Sequence, residues 1–300
     1  MDAQWTTELM LDAINGAQLS KITKKSYEDR MFHLEKLLSK SMYAIISDAT
    51  ASIQVIQQNY SNSCSQKYYM SVVMSLFKYV HGLKAHLQRS FDVWQDAFRT
   101  VDMSTKNRFK TNAPSDNQMA GFVPYGDIVL KRDTLKRGSI ERLLLSMYTY
   151  IYPLRSDFNE IRLYNNIVPS VPAPNYICMF RNGACRLVLT EYKTVASYGV
   201  FTKDLPLELC KEIKLNLENH SYRDFLFVNR DGHPYTGPSF SKYAHRTFQK
   251  IFNKPLTITL IRHAFIMTLD FNRMTIKEKE TIAHQMLHGV ECQDYYRLIF

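Results

Sequence analysis

The chain has five cysteines in 300 residues and no C-x-x-C pair among them. Cys64, Cys178, Cys185, Cys210 and Cys292 are odd in number and irregular in spacing. That argues against a disulfide frame or a zinc knuckle and for reduced thiols in an intracellular setting. Long hydrophobic runs are also missing. The run Leu143 to Tyr152 is about half the roughly 20 residues that a membrane span needs. The opening MDAQWTTELMLDA carries acids and no basic residue, which argues against a secretory signal. The first 110 residues hold no proline and two glycines, Gly16 and Gly82. Such a stretch lacks the residues that tight turns need, and a compact helical bundle is expected. There is no internal repeat and no low-complexity run.

Positive charge is what the chain does have. Its net charge is +10 and its pI about 9.2. Residues 1–110 hold 14 Lys/Arg against 10 Asp/Glu, and residues 111–300 hold 24 against 18. The excess is therefore spread along the chain, which suits a protein that grips a polyanion with two surfaces. It also suits a basic protein that binds nothing anionic. With 45% hydrophobic residues and a mean hydropathy of -0.28, a sizeable core in a water-soluble chain is expected.

The segment SKITKKSYEDRMFHLEKLLSK offers Ser20 or Thr23 as a cap and sets Tyr27, Met31, Leu34, Leu37 and Leu38 on one helical stripe. YYMSVVMSLFKYVHGL is a second amphipathic helix, with Ser63 and Ser65 as caps, and DATASIQVIQQNY is a further helix between the two. The polar stretch at about 102–126 breaks the pattern. We expect a helical domain over 1–110, a linker over 111–125 and a second domain over 126–300. There, Ser139 caps a helix that runs to Pro153. Two strand-like runs, YICMF and CRLVLTEYKT, meet at Asn182-Gly183, a hairpin signal, and SYGVFTKDL is a third strand. PLELCKEIKLNLENH begins a helix at proline, and SFSKYAHRTFQKIF, TLIRHAFIMTLDF and TIKEKETIAHQML complete the helices. The expected fold class is mainly α with one small antiparallel β-sheet, an α+β arrangement.

Several polar residues interrupt these apolar segments. Arg155 lies in IYPLRSDFNEI, Lys193 in LTEYKTVASYG, Arg262 in TLIRHAF, and His284, His288, Tyr295 and Tyr296 in HQMLHGVECQDYYRLIF. Each has a plain structural reading. Lys193 alone is a solvated strand-end lysine. His288 alone is a histidine satisfied at a helix end, with Gly289 as the residue that closes the helix. His284-x-x-x-His288 has the spacing of two zinc ligands on one helix face. But Gln285 stands where a zinc peptidase needs its glutamate base, and no third ligand follows.

Taken in order, these residues resemble something more specific. LLLSMYTYIYPLRSDFNEIRL, EYKTVASYGVFTKDLP, TLIRHAFIM and IAHQMLHGVECQDYYRL are similar to the four active-site segments of the tyrosine recombinase/integrase family. Within that family the chain resembles the variants of large eukaryotic DNA viruses and related mobile elements. The resemblance is strongest over about 140–300, and residues 20–100 resemble the family's helical, SAM-like core-binding domain. It implies site-specific cleavage and rejoining of DNA through a 3′-phosphotyrosine bond, with no metal, ATP or other cofactor. It implies Arg155 and Arg262 as a clamp on the phosphate, Lys193 as general acid, His288 on a phosphoryl oxygen or in proton transfer, and Tyr296 as nucleophile. Gln293 and Arg297 frame Tyr296, and Tyr295 is the alternative. Thr259 takes the place of the histidine that opens the family's H-x-x-R box; a hydroxyl can donate to a phosphate but cannot serve as a base near neutral pH. His263 points to another helix face and reads as structural. Lys203 competes with Lys193 but is expected to face solvent, and His284 to pack or be solvated. DNA contacts are expected from Lys24, Lys25, Lys193, Arg155 and Arg262.

The partners implied are double-stranded DNA and further copies of the chain, a tetramer in a synapse, with no membrane. For a viral protein the setting is the host nucleus or a cytoplasmic replication site. Two alternatives stay open: a weak or inactive DNA-binding or packaging protein of the same fold, and a type IB topoisomerase.

Overall fold

The computed structural model describes residues 5–220 and 223–299. The chain divides into two compact units, Met1–Thr111 and Asn112–Phe300.

The first unit is helical throughout its described part. It holds α1 (Thr7–Gly16), α2 (Lys21–Leu38), α3 (Met42–Ser47), α4 (Ala49–Asn59), α5 (Ser63–Tyr79), α6 (Leu83–His86) and α7 (Gln88–Lys110). Side-chain caps begin several of these. Ser20 accepts the Thr23 N–H at the start of α2. α5 is capped by Asn62, which accepts from Cys64, and not by Ser63 or Ser65; the helix starts one residue too early for Ser63 and three too early for Ser65. α7 runs on through residues 102–110, which the polar composition assigns to a break, because Val101 and Thr105 keep its inner face buried. The core gathers Met31, Leu34, Ile46, Ile56, Leu76 and Trp94. The buried Trp94 indole donates to the Ile46 carbonyl at 3.1 Å, so its one polar atom is satisfied.

The second unit begins with α8 (Asp116–Gly121), inside the stretch expected as linker, held by a capping box between Ser115 and Gln118. Then come α9 (Tyr125–Thr134), α10 (Ile140–Thr149), β1 (Arg162–Asn165), β2 (Asn175–Met179), β3 (Cys185–Leu189), α11 (Val195–Tyr198), β4 (Phe201–Asp204), α12 (Leu207–Asn219), α13 (Gly237–Phe252), α14 (Ile258–Ile266), α15 (Ile276–Gln285) and α16 (Glu291–Tyr296). The strands form one sheet in the order β1-β2-β3-β4. β2, β3 and β4 pair antiparallel as expected. β1 adds to β2 in parallel, so the sheet is mixed and not purely antiparallel. Asn182 and Gly183 form the β2–β3 turn, with Gly183 at a φ of 83°.

α10 sits at the centre, buried at every residue from Arg142 to Tyr148. Its buried arginine is paired by charge, though Nε makes no hydrogen bond. Arg142 Nε lies 3.0 Å from the carboxylate of Glu212 on α12, and Nη1 lies against the carbonyls of Arg132, Asp133 and Leu135. Beyond α10, Pro153 prevents helix continuation and turns the chain toward Arg155.

Candidate active site

Arg155 is anchored by its backbone. Its N–H donates to Asp157 Oδ2 at 3.1 Å, and the buried Tyr148 hydroxyl donates to its carbonyl at 2.9 Å. Burial pushes the Asp157 carboxyl up, against the opposing pull of the Arg155 charge. The Arg155 side chain is left to reach outward, and Nη1 donates to the Leu287 carbonyl at 2.7 Å.

Arg262 lies on α14, whose start is fixed by Thr257 accepting from the Leu260 N–H. It is 1% exposed. Nη1 meets the carbonyls of Pro153 (2.5 Å) and Met286 (3.3 Å), Nη2 meets His288 Nδ1 at 2.9 Å, and Nε donates to the Tyr296 hydroxyl at 3.2 Å. Burial lowers its pKa from the ordinary value, but a guanidinium stays protonated. Neither Arg155 nor Arg262 has a carboxylate ion-pair partner among the described residues.

The contact with Arg262 assigns the His288 tautomer. A guanidinium can only donate, so Nδ1 accepts and the imidazole proton sits on Nε2. That Nε2 is buried with no hydrogen-bond partner, and the residue is 0% exposed. Burial, then the charges of Arg262 and Arg155, lower its pKa to about 3.

His288 owes its position to the end of α15. Leu287 N–H donates to the His284 carbonyl and His288 N–H to the Ala283 carbonyl, the two bonds of a Schellman motif. The left-handed residue that closes it is Leu287, at a φ of 53°, and not Gly289 as the sequence suggests. Leucine in that conformation costs roughly 1–2 kcal/mol. Its fully buried side chain and the two donors on its carbonyl, Arg155 Nη1 and Thr194 Oγ1 (2.9 Å), offset that cost.

Tyr296 is half-buried on α16, its ring centroid 5.4 Å from that of His288 and 4.8 Å from that of His263. Tyr295 is 50% exposed, as expected for neighbours about 100° apart on a helix. α16 is held by Gln293 Nε2, which donates to the Lys279 carbonyl at 2.8 Å, and by His263, whose Nδ1 donates to the Tyr296 carbonyl at 2.7 Å. His263 is therefore tied to the tyrosine's backbone, a role that periodicity did not reveal.

The remaining site candidates lie elsewhere. Thr259 is exposed and lines a cavity of about 400 Å³ with Gln118, His245 and Thr257; Arg155, Arg262, His288 and Tyr296 do not line it. Lys193 is exposed in the turn after β3. Lys203 does not face solvent as expected. Pairing with Leu187 places it on the inward face of the sheet, where its ammonium donates to Gln285 and burial lowers its pKa. His284 packs edge-on against Tyr198. In the first unit, Lys24 donates to the Asn15 carbonyl, and Lys25 pairs with Glu28 and Asp29.

Among the described residues, four of the five Arg155 N–H groups, one Arg262 N–H and His288 Nε2–H have no partner. Such an array of donors without a counter-ion suits an anion with several oxygens.

No protein-family model and no curated sequence matches the chain. Solved structures do. The Tn1549 transposon integrase in complex with transposon right end DNA aligns over 99% of this chain and 96% of that one, at 16% identity and a TM-score of 0.50. A XerA recombinase aligns over 98% and 92% (13% identity, TM-score 0.40), and XerH site-specific recombinase bound to difH over 98% and 91% (11% identity, TM-score 0.43). The likeness to the Tn1549 integrase shows a tyrosine-recombinase-like fold.

Proposed function

We propose that the protein is a site-specific DNA recombinase or integrase that cuts and rejoins strands through a 3′-phosphotyrosine bond. The observation that carries this reading is a fully buried arginine, Arg262, which has no carboxylate ion-pair partner among the described residues and binds the hydroxyl of a tyrosine. A buried charge left uncompensated is costly, and an anion arriving at the site repays that cost.

In this mechanism Arg155 and Arg262 hold the non-bridging oxygens of the scissile phosphate, where guanidinium forks give paired hydrogen bonds. Tyr296 attacks phosphorus, and Arg262 Nε stabilises the charge that develops on the phenol oxygen. His288 donates from Nε2. With Nδ1 held by Arg262 and a pKa near 3, it is a neutral hydrogen-bond donor at pH 7 and not a proton shuttle. Lys193 protonates the departing 5′-oxygen, reaching the site as the hairpin meets DNA. Thr259 contributes at most a hydroxyl to a phosphate. Lys24 and Lys25 bind flanking phosphates, since exposed ion pairs such as Lys25–Glu28 exchange partners at little cost. The residue roles, the double-stranded DNA substrate, the tetrameric synapse and the boundaries 1–110 and 126–300 belong to this proposal.

A DNA-binding protein of the same fold without cleavage is the second reading, favoured by the position of Thr259 outside the cluster. Nicked suicide duplexes of random sequence, incubated with the full chain in EDTA, separate the two on a denaturing gel. The expected result is a covalent adduct that Tyr296→Phe abolishes and Tyr295→Phe retains. An adduct with Tyr296→Phe would remove Tyr296 from its role. DNA binding without any adduct would favour the second reading, and relaxation of supercoiled plasmid without sequence preference would point to a topoisomerase.

A further inference from the structure

The residue after Lys193 is tied to the catalytic turn. Thr194 Oγ1 donates to the Leu287 carbonyl at 2.9 Å, the same oxygen that accepts Arg155 Nη1 at 2.7 Å. Leu287 sits between the end of α15 and His288, in a left-handed conformation that aims this carbonyl. The backbone of Thr194 is held as well, since its carbonyl accepts from the N–H groups of Ser197 and Tyr198 at 3.0 and 3.1 Å. Lys193 itself is exposed and makes no hydrogen bond to the cluster among the described residues. A flexible lysine thus hangs from a residue whose side chain and backbone are both fixed, one hydrogen bond away from the oxygen that orients Arg155.

We infer that Thr194 is a positioning residue for proton transfer: its hydroxyl holds the Lys193 turn against the Leu287 carbonyl, so that Lys193 is delivered to the same phosphate as Arg155 and His288. The inference rests on the strand-cleavage reading above. In that step the P–O bond to Tyr296 forms and the P–O5′ bond breaks. The O5′ oxygen takes a proton from Lys193 Nζ, which solvent restores, and the phenol proton leaves to solvent. Fixing the donor's anchor lowers the entropy cost of bringing that proton into line. Valine matches the shape of threonine but cannot donate, whereas serine can.

The test compares single-turnover cleavage of an ordinary suicide duplex with one in which sulfur replaces the bridging 5′-oxygen. A thiolate departs without protonation, because a thiol is far more acidic than an alcohol. Thr194→Val is expected to cut the ordinary duplex roughly tenfold more slowly, the size of one lost hydrogen bond in the transition state. On the sulfur duplex it should match wild type within about twofold, because no proton is then required. Thr194→Ser should restore the ordinary rate, and Lys193→Ala should show the same pattern with a larger loss.

Equal losses of Thr194→Val on both duplexes, or no loss on either, would overturn the inference while leaving strand cleavage intact. Indifference of Lys193→Ala to the sulfur exchange would overturn it too, because Thr194 would then steady no proton donor. Absence of an adduct with the wild-type chain on either duplex would remove the parent reading and this one together.

Discussion

Two buried arginines in the second unit are treated in opposite ways. Arg142, 7% exposed, lies 3.0 Å from the Glu212 carboxylate and against three backbone carbonyls. Arg262, 1% exposed, meets two carbonyls, an imidazole and a phenol, and no carboxylate among the described residues. Arg142 is neutralised within the fold and joins α10 to α12. Arg262 is held just as firmly, yet no carboxylate among the described residues pairs with it directly; the buried Asp157 carboxyl acts on it only through space. Burial alone therefore does not separate a structural cation from one kept for a ligand; the presence of a counter-charge does.

Removing Glu212 should make Arg142 resemble Arg262 in the wrong place. Glu212→Ala is expected to cost about 3 kcal/mol of stability, since it removes the buried partner of Arg142 and leaves only the half-exposed Asp133 carboxylate at 3.6 Å, and a shift in the urea midpoint checks this. Arg262→Lys keeps a cation but loses the fork. It should leave the fold within about 2 kcal/mol of wild type while slowing covalent adduct formation by roughly 10²–10³-fold, as measured in single turnover.

The surroundings of Arg262 should also show in pH dependence. The pKa of His288 in the folded chain is about 3, below its ordinary value of 6.5, because of burial and the charges of Arg262 and Arg155. The folded state thus binds fewer protons than the unfolded state between those two values. The stability contribution is complete above pH 6.5 and is lost as pH falls toward 3. His288→Gln should flatten the fall in melting temperature below pH 6.5; an unchanged slope would mean that other groups set it. The smallest effect concerns a cation that has carboxylate partners but is exposed. Lys25→Ala should leave the melting temperature unchanged and reduce the salt dependence of DNA binding by about one phosphate contact.

Much of this is legible without coordinates, and the rest is not, for physical reasons. Helices announce themselves by period and caps, as Ser20 and Ser139 do. Arg155, Arg262, His288 and Tyr296 stand out as polar residues in apolar surroundings, and the structure brings these four side chains together. β1 leaves no such trace. It is four residues long, and its parallel pairing with β2 is a long-range event. The inward face of Lys203 depends on its register with Leu187, which a lysine flanked by Thr202 and Asp204 does not disclose. Glycine's preference for left-handed helix ends pointed to Gly289, but burial of the Leu287 side chain decided the matter. Thr194 and His263 act through backbone carbonyls, and a carbonyl has no signature in the sequence.

If Tyr296 attacks a phosphate as proposed, its hydroxyl and that phosphate compete at rest for one donor, Arg262 Nε. On that reading the resting site would be its own weak competitive inhibitor. A contact worth about 1 kcal/mol would leave the donor free in roughly one molecule in six, and apparent affinity for uncleaved DNA would fall by the same factor. Tyr296→Phe, which cannot compete, should then hold intact DNA more tightly than the wild type. The chain would thus trade a little grip for a nucleophile that is exposed only where a phosphate has taken its place.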